Sequence, residues 1–179
     1  MNEKVISSKN IFRGDVFQIN SLFITLPDGR RVVREVIERP ATVIIVAVDD
    51  KKNTFLIQEY RSAINKLVWH LPSGRLEPGE QPRKAANREL QEEIGYRAKK
   101  FQMLYSFQGG GSWKWPRYLY LARDLSSNKL SGDEDEDIRV KKVPLKKAAK
   151  MAIDGILSNA DSAIALIRAY QIVYRRKII

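Results

Sequence analysis

The carboxylates best placed to do chemistry lie between Gly74 and Tyr96. Glu80 is followed by Arg88-Glu89-Leu90-Gln91-Glu92-Glu93-Ile94-Gly95, so the stretch reads G-x5-E-x7-R-E-L-x-E-E-x-G. Glu89, Glu92 and Glu93 stand at i, i+3 and i+4, which on a helix puts all three carboxylates on one face. Like charges stacked in that way repel, and no cationic residue is interleaved among them. Oxygen-only ligands on a rigid helix suit a hard divalent cation, Mg²⁺ or Mn²⁺. The bland alternative is a solvated, charge-rich helix. The residues alone leave both readings open.

The elements around this stretch must hold it in place. Gly74 and Gly79 supply turns, Pro82 fits a first helical turn and Gly95 a stop, predicting a helix over 82–94. Residues 10–38 read as a hairpin, with Val16 to Leu26 and Val32 to Ile37 flanking the turn Pro27-Asp28-Gly29-Arg30. Ala41 to Val48 is a near-continuous apolar run, typical of a strand buried on both faces. Further strands are expected over 54–60, 66–71, 101–107, 118–123 and 138–143, with Gly109-Gly110-Gly111 as a loop between two of them. Helices are expected over 144–153 and 161–175, the second carrying a broad apolar stripe.

With 179 residues and 44% hydrophobic content, one domain of ordinary size with a proper core is expected, plus a small appendage. No cysteine is present, which excludes a disulfide framework, a zinc-thiolate site and a thiol nucleophile. No apolar h-region follows Met1, and no run approaches membrane-spanning length, so a reducing, cytoplasmic setting with no membrane partner is expected. The net charge of +11 suits an anionic partner. The basic residues are dispersed, and no RNA-binding module or basic-aromatic stripe is visible, so nucleic acid is the weaker candidate and a phosphate-bearing substrate the stronger. Against that background the acidic run Asp133-Glu134-Asp135-Glu136-Asp137 stands out.

The signature string is that of the Nudix hydrolases, and the chain resembles that family at every fixed position. Tyr96 stands where the family usually has an aliphatic residue. The resemblance implies an α/β fold, the family's α/β/α sandwich with a mixed sheet. It covers 39–179 as a Nudix hydrolase domain, with 1–38 as an N-terminal β-hairpin extension for dimerisation and substrate contact. Outside the signature, several segments resemble the ADP-ribose pyrophosphatases and related nucleoside-diphosphate-sugar hydrolases. These are Leu26 to Arg30, Arg34 to Pro40, Gln58-Glu59-Tyr60-Arg61, Trp69 to Gly74, the acidic loop, and Ser158 to Ala163. Their shared order along the chain carries the assignment.

What the resemblance implies for the site can be stated residue by residue. Glu89 and Glu93 would be direct metal ligands, joined by the main-chain carbonyl of Ser73. Glu92 would be either a ligand or a water-mediated partner. Arg88 and Glu80 would form an orienting ion pair. In the acidic loop, Glu134 would be the general base and Glu136 a further metal ligand; a solvated acidic turn is the alternative. Arg61 would grip phosphate oxygens, because a guanidinium is always charged and binds two oxygens at once; for any single arginine in so basic a chain a surface ion pair is the alternative. Arg34, with Glu35 beside it, would reach the substrate of the other subunit of a homodimer. A hairpin folded back on its own domain is the alternative. Phe17 would offer an aromatic face to a base or simply fill the hairpin core.

Two departures bear on the substrate. The proline this branch commonly carries after the signature is absent, and Gly109 to Gly111 with Trp113 and Trp115 stand in that region. Either tryptophan could stack on a base or sugar, or anchor the loop. His70 stands where the branch often has a carboxylate; it reads as structural or as an acid–base group. The function implied is hydrolysis of the phosphoanhydride of a nucleoside diphosphate sugar, ADP-ribose first. The alternatives are GDP-mannose, a dinucleoside polyphosphate or an RNA 5′ end. A non-catalytic nucleotide-binding module is the reading of another class.

Overall fold

The computed structural model describes residues 2–130 and 138–175. The chain divides into two units, one joining Met1–Ala41 to Phe107–Arg117 and the other joining Thr42–Ser106 to Tyr118–Ile179.

In the first unit, β1 (Lys4–Arg13), β2 (Gln18–Thr25) and β3 (Arg31–Glu38) form an antiparallel meander. The expected turn closes β2 onto β3. The Leu26 N–H donates to the Arg30 carbonyl at 2.8 Å, and Gly29 sits at φ +85°, a conformation that costs glycine little. The strand β1 was not expected from the sequence. All ten of its residues are exposed, so its pattern lacks the period-2 alternation that marks a half-buried strand. Two register irregularities, between Val5 and Ser7 and between Asn10 and Phe12, add to its twist. The opening of β9 (Trp113–Ser127) lies parallel to the end of β3, with Ile37 opposite Trp113 and Glu38 opposite Lys114.

In the second unit, β4 (Thr42–Ala47) is the central strand, as its apolar run predicts. The sheet there runs β9, β4, β7 (Ser73–Arg75), with β8 (Tyr96–Gly110) paired to β9. A second, three-stranded sheet runs β10 (Arg139–Pro144), β5 (Asn53–Arg61), β6 (Lys66–His70). On one side, Val43, Ile45 and Ala47 of β4 and Phe55 and Ile57 of β5 join Ala85, Ala86 and Leu90 of α1 (Pro82–Glu93) in one core cluster. On the other, α2 (Leu145–Ile153) and α3 (Ala160–Tyr174) bury Leu145, Ala148, Ala149, Ala165, Leu166 and Ala169, and α3 touches β4. The expected α/β/α arrangement around a mixed sheet is therefore present. Each fully buried Ile or Leu in these layers contributes about 1.5–3 kcal/mol.

The glycine-rich stretch is not the open loop that the sequence suggested. β8 and β9 run on to a tight turn at Gly111 and Ser112. A Cβ on Gly109 would lie 2.1 Å from the Trp113 carbonyl oxygen, so the two strands approach there as only glycine allows. Among the described residues no helix is long and apolar enough to cross a membrane.

Candidate active site

The signature helix begins and ends as its sequence dictates. Gly79 at φ +77° turns the chain, Pro82 opens α1, and Gly95 at φ +73° follows its C-cap. Ala85, Ala86 and Leu90 are buried, Glu89 is buried with them, and Glu92 and Glu93 are half-buried. No basic residue lies in that last turn. Glu89, Glu92 and Glu93 therefore crowd the end of α1 where the helix dipole is already negative.

Arg88 organises this acidic end. Its Nε and Nη2 donate to the two carboxylate oxygens of Glu80 at 3.2 and 3.0 Å, so the expected orienting pair forms as a two-point grip. Nη2 also donates to the Arg75 carbonyl at 3.0 Å. Nη1 donates to Glu89 Oε1 at 2.8 Å and to Glu92 Oε2 at 2.9 Å. The Glu80 hydrogen bond holds the guanidinium firmly protonated, and the same bond holds the Glu80 carboxyl below the ordinary carboxylate range. Arg88 is thus a fixed cation that orients three carboxylates.

Two further contacts seat the strand against the helix. In β7, Gly74 lies beside the Glu89 carboxylate, and a Cβ there would fall 1.9 Å from Glu89 Oε1. Glu89 is buried, so this space is where its carboxylate fits. One residue earlier, the Ser73 N–H donates to Glu93 Oε2 at 2.9 Å. Ser73, Glu89, Glu92 and Glu93 are therefore brought to one end of α1. Among the described residues no three carboxylate or imidazole side chains converge closely enough to enclose a cation by themselves. The donor set is nonetheless one a hard cation fits. It is made of oxygens only, it lies at the negative end of a helix, and one carboxylate is seated in a cradle that any side chain at position 74 would fill. Glu134 and Glu136 lie outside the described residues.

Arg61 stands at the end of β5, with half its side chain exposed. Its Nη2 lies 2.8 Å from Glu59 Oε2, and the same oxygen lies 3.0 Å from His70 Nε2. His70 is 2% exposed, and its Nδ1 lies 2.8 Å from the Leu71 carbonyl. Burial, the largest influence, pushes this imidazole below the ordinary histidine range. Arg61 acts in the same sense, against the Leu71 carbonyl and Glu59. Sequence reasoning named Arg61 and His70 but gave Glu59 no role. The available signal was the i, i+2 spacing that sets Glu59 and Arg61 on one face of a strand.

In the first unit, Arg34 pairs with Glu3 through Nη2 at 2.6 Å, and its neighbour Glu35 is exposed. Trp113 is 49% exposed. Trp115 is engaged with cations: the guanidinium carbons of Arg39 and Arg117 lie 4.1 and 4.3 Å from its ring centroid. Arg117 also lies 4.2 Å from the Phe107 ring. Phe17 packs against Phe12 at 5.4 Å and, with Arg13, Gln18, Glu38 and Arg39, lines a cavity of about 330 Å³. Neither Arg39 nor Arg117 was singled out from the sequence. Arg39 meets Trp115 where β3 runs beside β9, whereas Arg117 stands two residues from Trp115 on β9 itself, a spacing that could have found it.

Comparison with known proteins adds to this geometry. The family description that matches is the NUDIX domain, over residues 38–163. An ADP-ribose pyrophosphatase of Bacillus subtilis (strain 168) is 32% identical, with 93% of this chain and 91% of the relative covered. A methanol dehydrogenase activator of Bacillus methanolicus is 31% identical, with 92% of this chain and 90% of the relative covered. A crystal structure of an ADP compounds hydrolase superposes with a TM-score of 0.83 at 27% identity, over 99% of this chain and 98% of the other.

Proposed function

This chain belongs to the Nudix hydrolase family, and from that premise we propose that it cleaves the phosphoanhydride of a nucleoside diphosphate sugar, ADP-ribose first, with Mg²⁺ as its cation. The observation that carries the reading is the seating of the Glu89 carboxylate against Gly74, beside the Arg88 network, at the negative end of α1. Relatives named as ADP-ribose pyrophosphatases, at about 30% identity over most of the chain, support the choice of substrate.

In this reading Glu89, Glu93 and the Ser73 carbonyl hold the cation, with Glu92 as ligand or water-mediated partner and Glu136 completing the set. A divalent cation bound there supplies charge neutralisation and Lewis acidity toward the pyrophosphate. Arg88 stays out of the chemistry. It keeps Glu89 and Glu92 oriented while Glu80 holds it in turn. Arg61 grips phosphate oxygens from the end of β5. Glu134 accepts the proton of the attacking water as the bridging P–O bond breaks, releasing AMP and ribose 5-phosphate. Arg34, Glu35 and the Trp113 region would contact the base or distal sugar. We further propose a homodimer, in which the N-terminal strands of one protomer cover those of its partner. The exposed apolar residues Val5, Ile6, Ile11, Phe12, Phe23 and Val33 support this, because such strands need cover.

The test is a hydrolysis panel at fixed Mg²⁺, with products separated by chromatography. The panel holds ADP-ribose, ADP-glucose, GDP-mannose, UDP-glucose, dinucleoside polyphosphates and capped RNA. Preferred turnover of ADP-ribose to AMP and a sugar phosphate is the expected result. Preference for another member would overturn the substrate, and no turnover of any would overturn the catalytic reading.

A further inference from the structure

One face of β5 changes character along its length. Phe55 and Ile57 join the core under α1, and the next two residues on that face, Glu59 and Arg61, leave the core and turn polar. On the neighbouring strand His70 stands opposite Ile57, one step diagonal to Glu59. The result is a row of three polar side chains graded in exposure. The His70 side chain is 3% exposed, Glu59 18% and Arg61 51%.

A single carboxylate oxygen links the row. Glu59 Oε2 lies 3.0 Å from His70 Nε2 and 2.8 Å from Arg61 Nη2. An exposed arginine–glutamate pair by itself is weak, because two long side chains must be ordered to form it. Here the glutamate is already held by a buried ring with little rotamer freedom, so the arginine is ordered against a fixed partner. One edge of the guanidinium is engaged by Glu59, and the planar fork retains other N–H donors.

We propose that His70 is a positioning residue: its ring faces two acceptors, the Leu71 carbonyl at Nδ1 and the Glu59 carboxylate at Nε2, and the charged one takes the single ring proton, so Nε2 donates to Glu59 and fixes the carboxylate that presets Arg61 for phosphate oxygens. This rests on the reading of Arg61 as a phosphate contact and adds to it a buried group with no contact of its own to substrate. The histidine acts through its donor geometry, which differs from the acid–base role its type suggests.

The chain has one histidine, so its two ring nitrogens give a single, unambiguous pair of NMR signals in ¹⁵N-labelled protein. Nε2 is expected to be protonated at neutral pH, and to shift when inorganic pyrophosphate with Mg²⁺ is added. Nε2 found unprotonated would overturn the inference whatever the substrate proves to be. In kinetics with ADP-ribose, His70→Leu should raise KM about tenfold, the effect of losing one charge-assisted hydrogen bond, with kcat within about twofold. His70→Gln, which keeps an N–H donor, should recover part of that loss. The double variant His70→Leu/Arg61→Ala should behave like Arg61→Ala alone, since residues acting through one another do not add. Additive losses, or a fall in kcat at unchanged KM, would overturn the proposal. If His70→Leu fails to fold, His70→Gln in the same cycle and the nitrogen signals decide. Absence of ADP-ribose turnover in the unmodified enzyme would instead strike the substrate reading, leaving the NMR result to stand or fall alone.

Discussion

The α-carbon of Gly74 faces the carboxylate of Glu89 so closely that a Cβ on it would lie 1.9 Å from Oε1 and 2.0 Å from Cδ. The glycine at the head of the signature is therefore a space requirement of the glutamate near its end. Gly74→Ala should push Glu89 off its seat and away from Arg88 Nη1. Displacement of a group that orients metal ligands typically costs 10–100-fold in affinity or activity, and a loss of about that size is expected in Mg²⁺ affinity by calorimetry. Unchanged affinity would mean that Glu89 is no ligand.

The two tryptophans after the glycine turn should separate in their effects. Trp115 lies against both Arg39 and Arg117, so Trp115→Ala removes two cation–π contacts of ~0.5–2 kcal/mol each and should lower the urea midpoint. Trp113 is half exposed, so Trp113→Ala should leave the midpoint nearly unchanged while altering the ranking of nucleoside diphosphate sugars. If Trp113→Ala instead lowers stability and leaves the ranking intact, its role is anchoring.

Acid should weaken the fold in two stages. Burial holds His70 below the ordinary histidine value of 6.5. As pH falls past 6.5, the unfolded chain takes up a proton that the folded ring refuses. The stability this group provides is thus complete above that value and is lost as the pH falls through the depressed folded value. Glu80, held below its ordinary value of 4.5 first by the Arg88 hydrogen bond, follows the same sign at lower pH. Urea midpoints measured from pH ~7.5 down to ~5.5 should fall for the unmodified protein and fall less for His70→Gln. Parallel curves would show that His70 does not carry the first stage.

Much of the second unit was legible because its signals are local. The α1 boundaries follow from Gly79, Pro82 and Gly95, and the central strand from the unbroken apolar run of β4. The grouping of Glu89, Glu92 and Glu93 follows from helical spacing alone. What escaped depended on partners distant in sequence. β1 is exposed along its whole length and so carries no alternation to read. The long β8–β9 hairpin hides behind three glycines, because only the close approach of Gly109 to Trp113 shows the pairing. The pairing of Glu59 with His70 comes from the register that sets His70 opposite Ile57, and the Arg39 contact on Trp115 from a residue outside β9.

The central claim is that the acidic end of α1 holds a divalent cation for phosphoanhydride cleavage, and Glu93→Gln tests it most directly. The amide can still accept from the Ser73 N–H, and removing an anion from a helix C-terminus does not weaken the helix. The variant should therefore unfold at the same urea concentration as the unmodified protein. With Mg²⁺ and ADP-ribose, AMP formation should drop by at least about a hundredfold, and chelator should abolish it in the unmodified enzyme. Equal turnover in the variant, or turnover that survives chelation, would contradict the account.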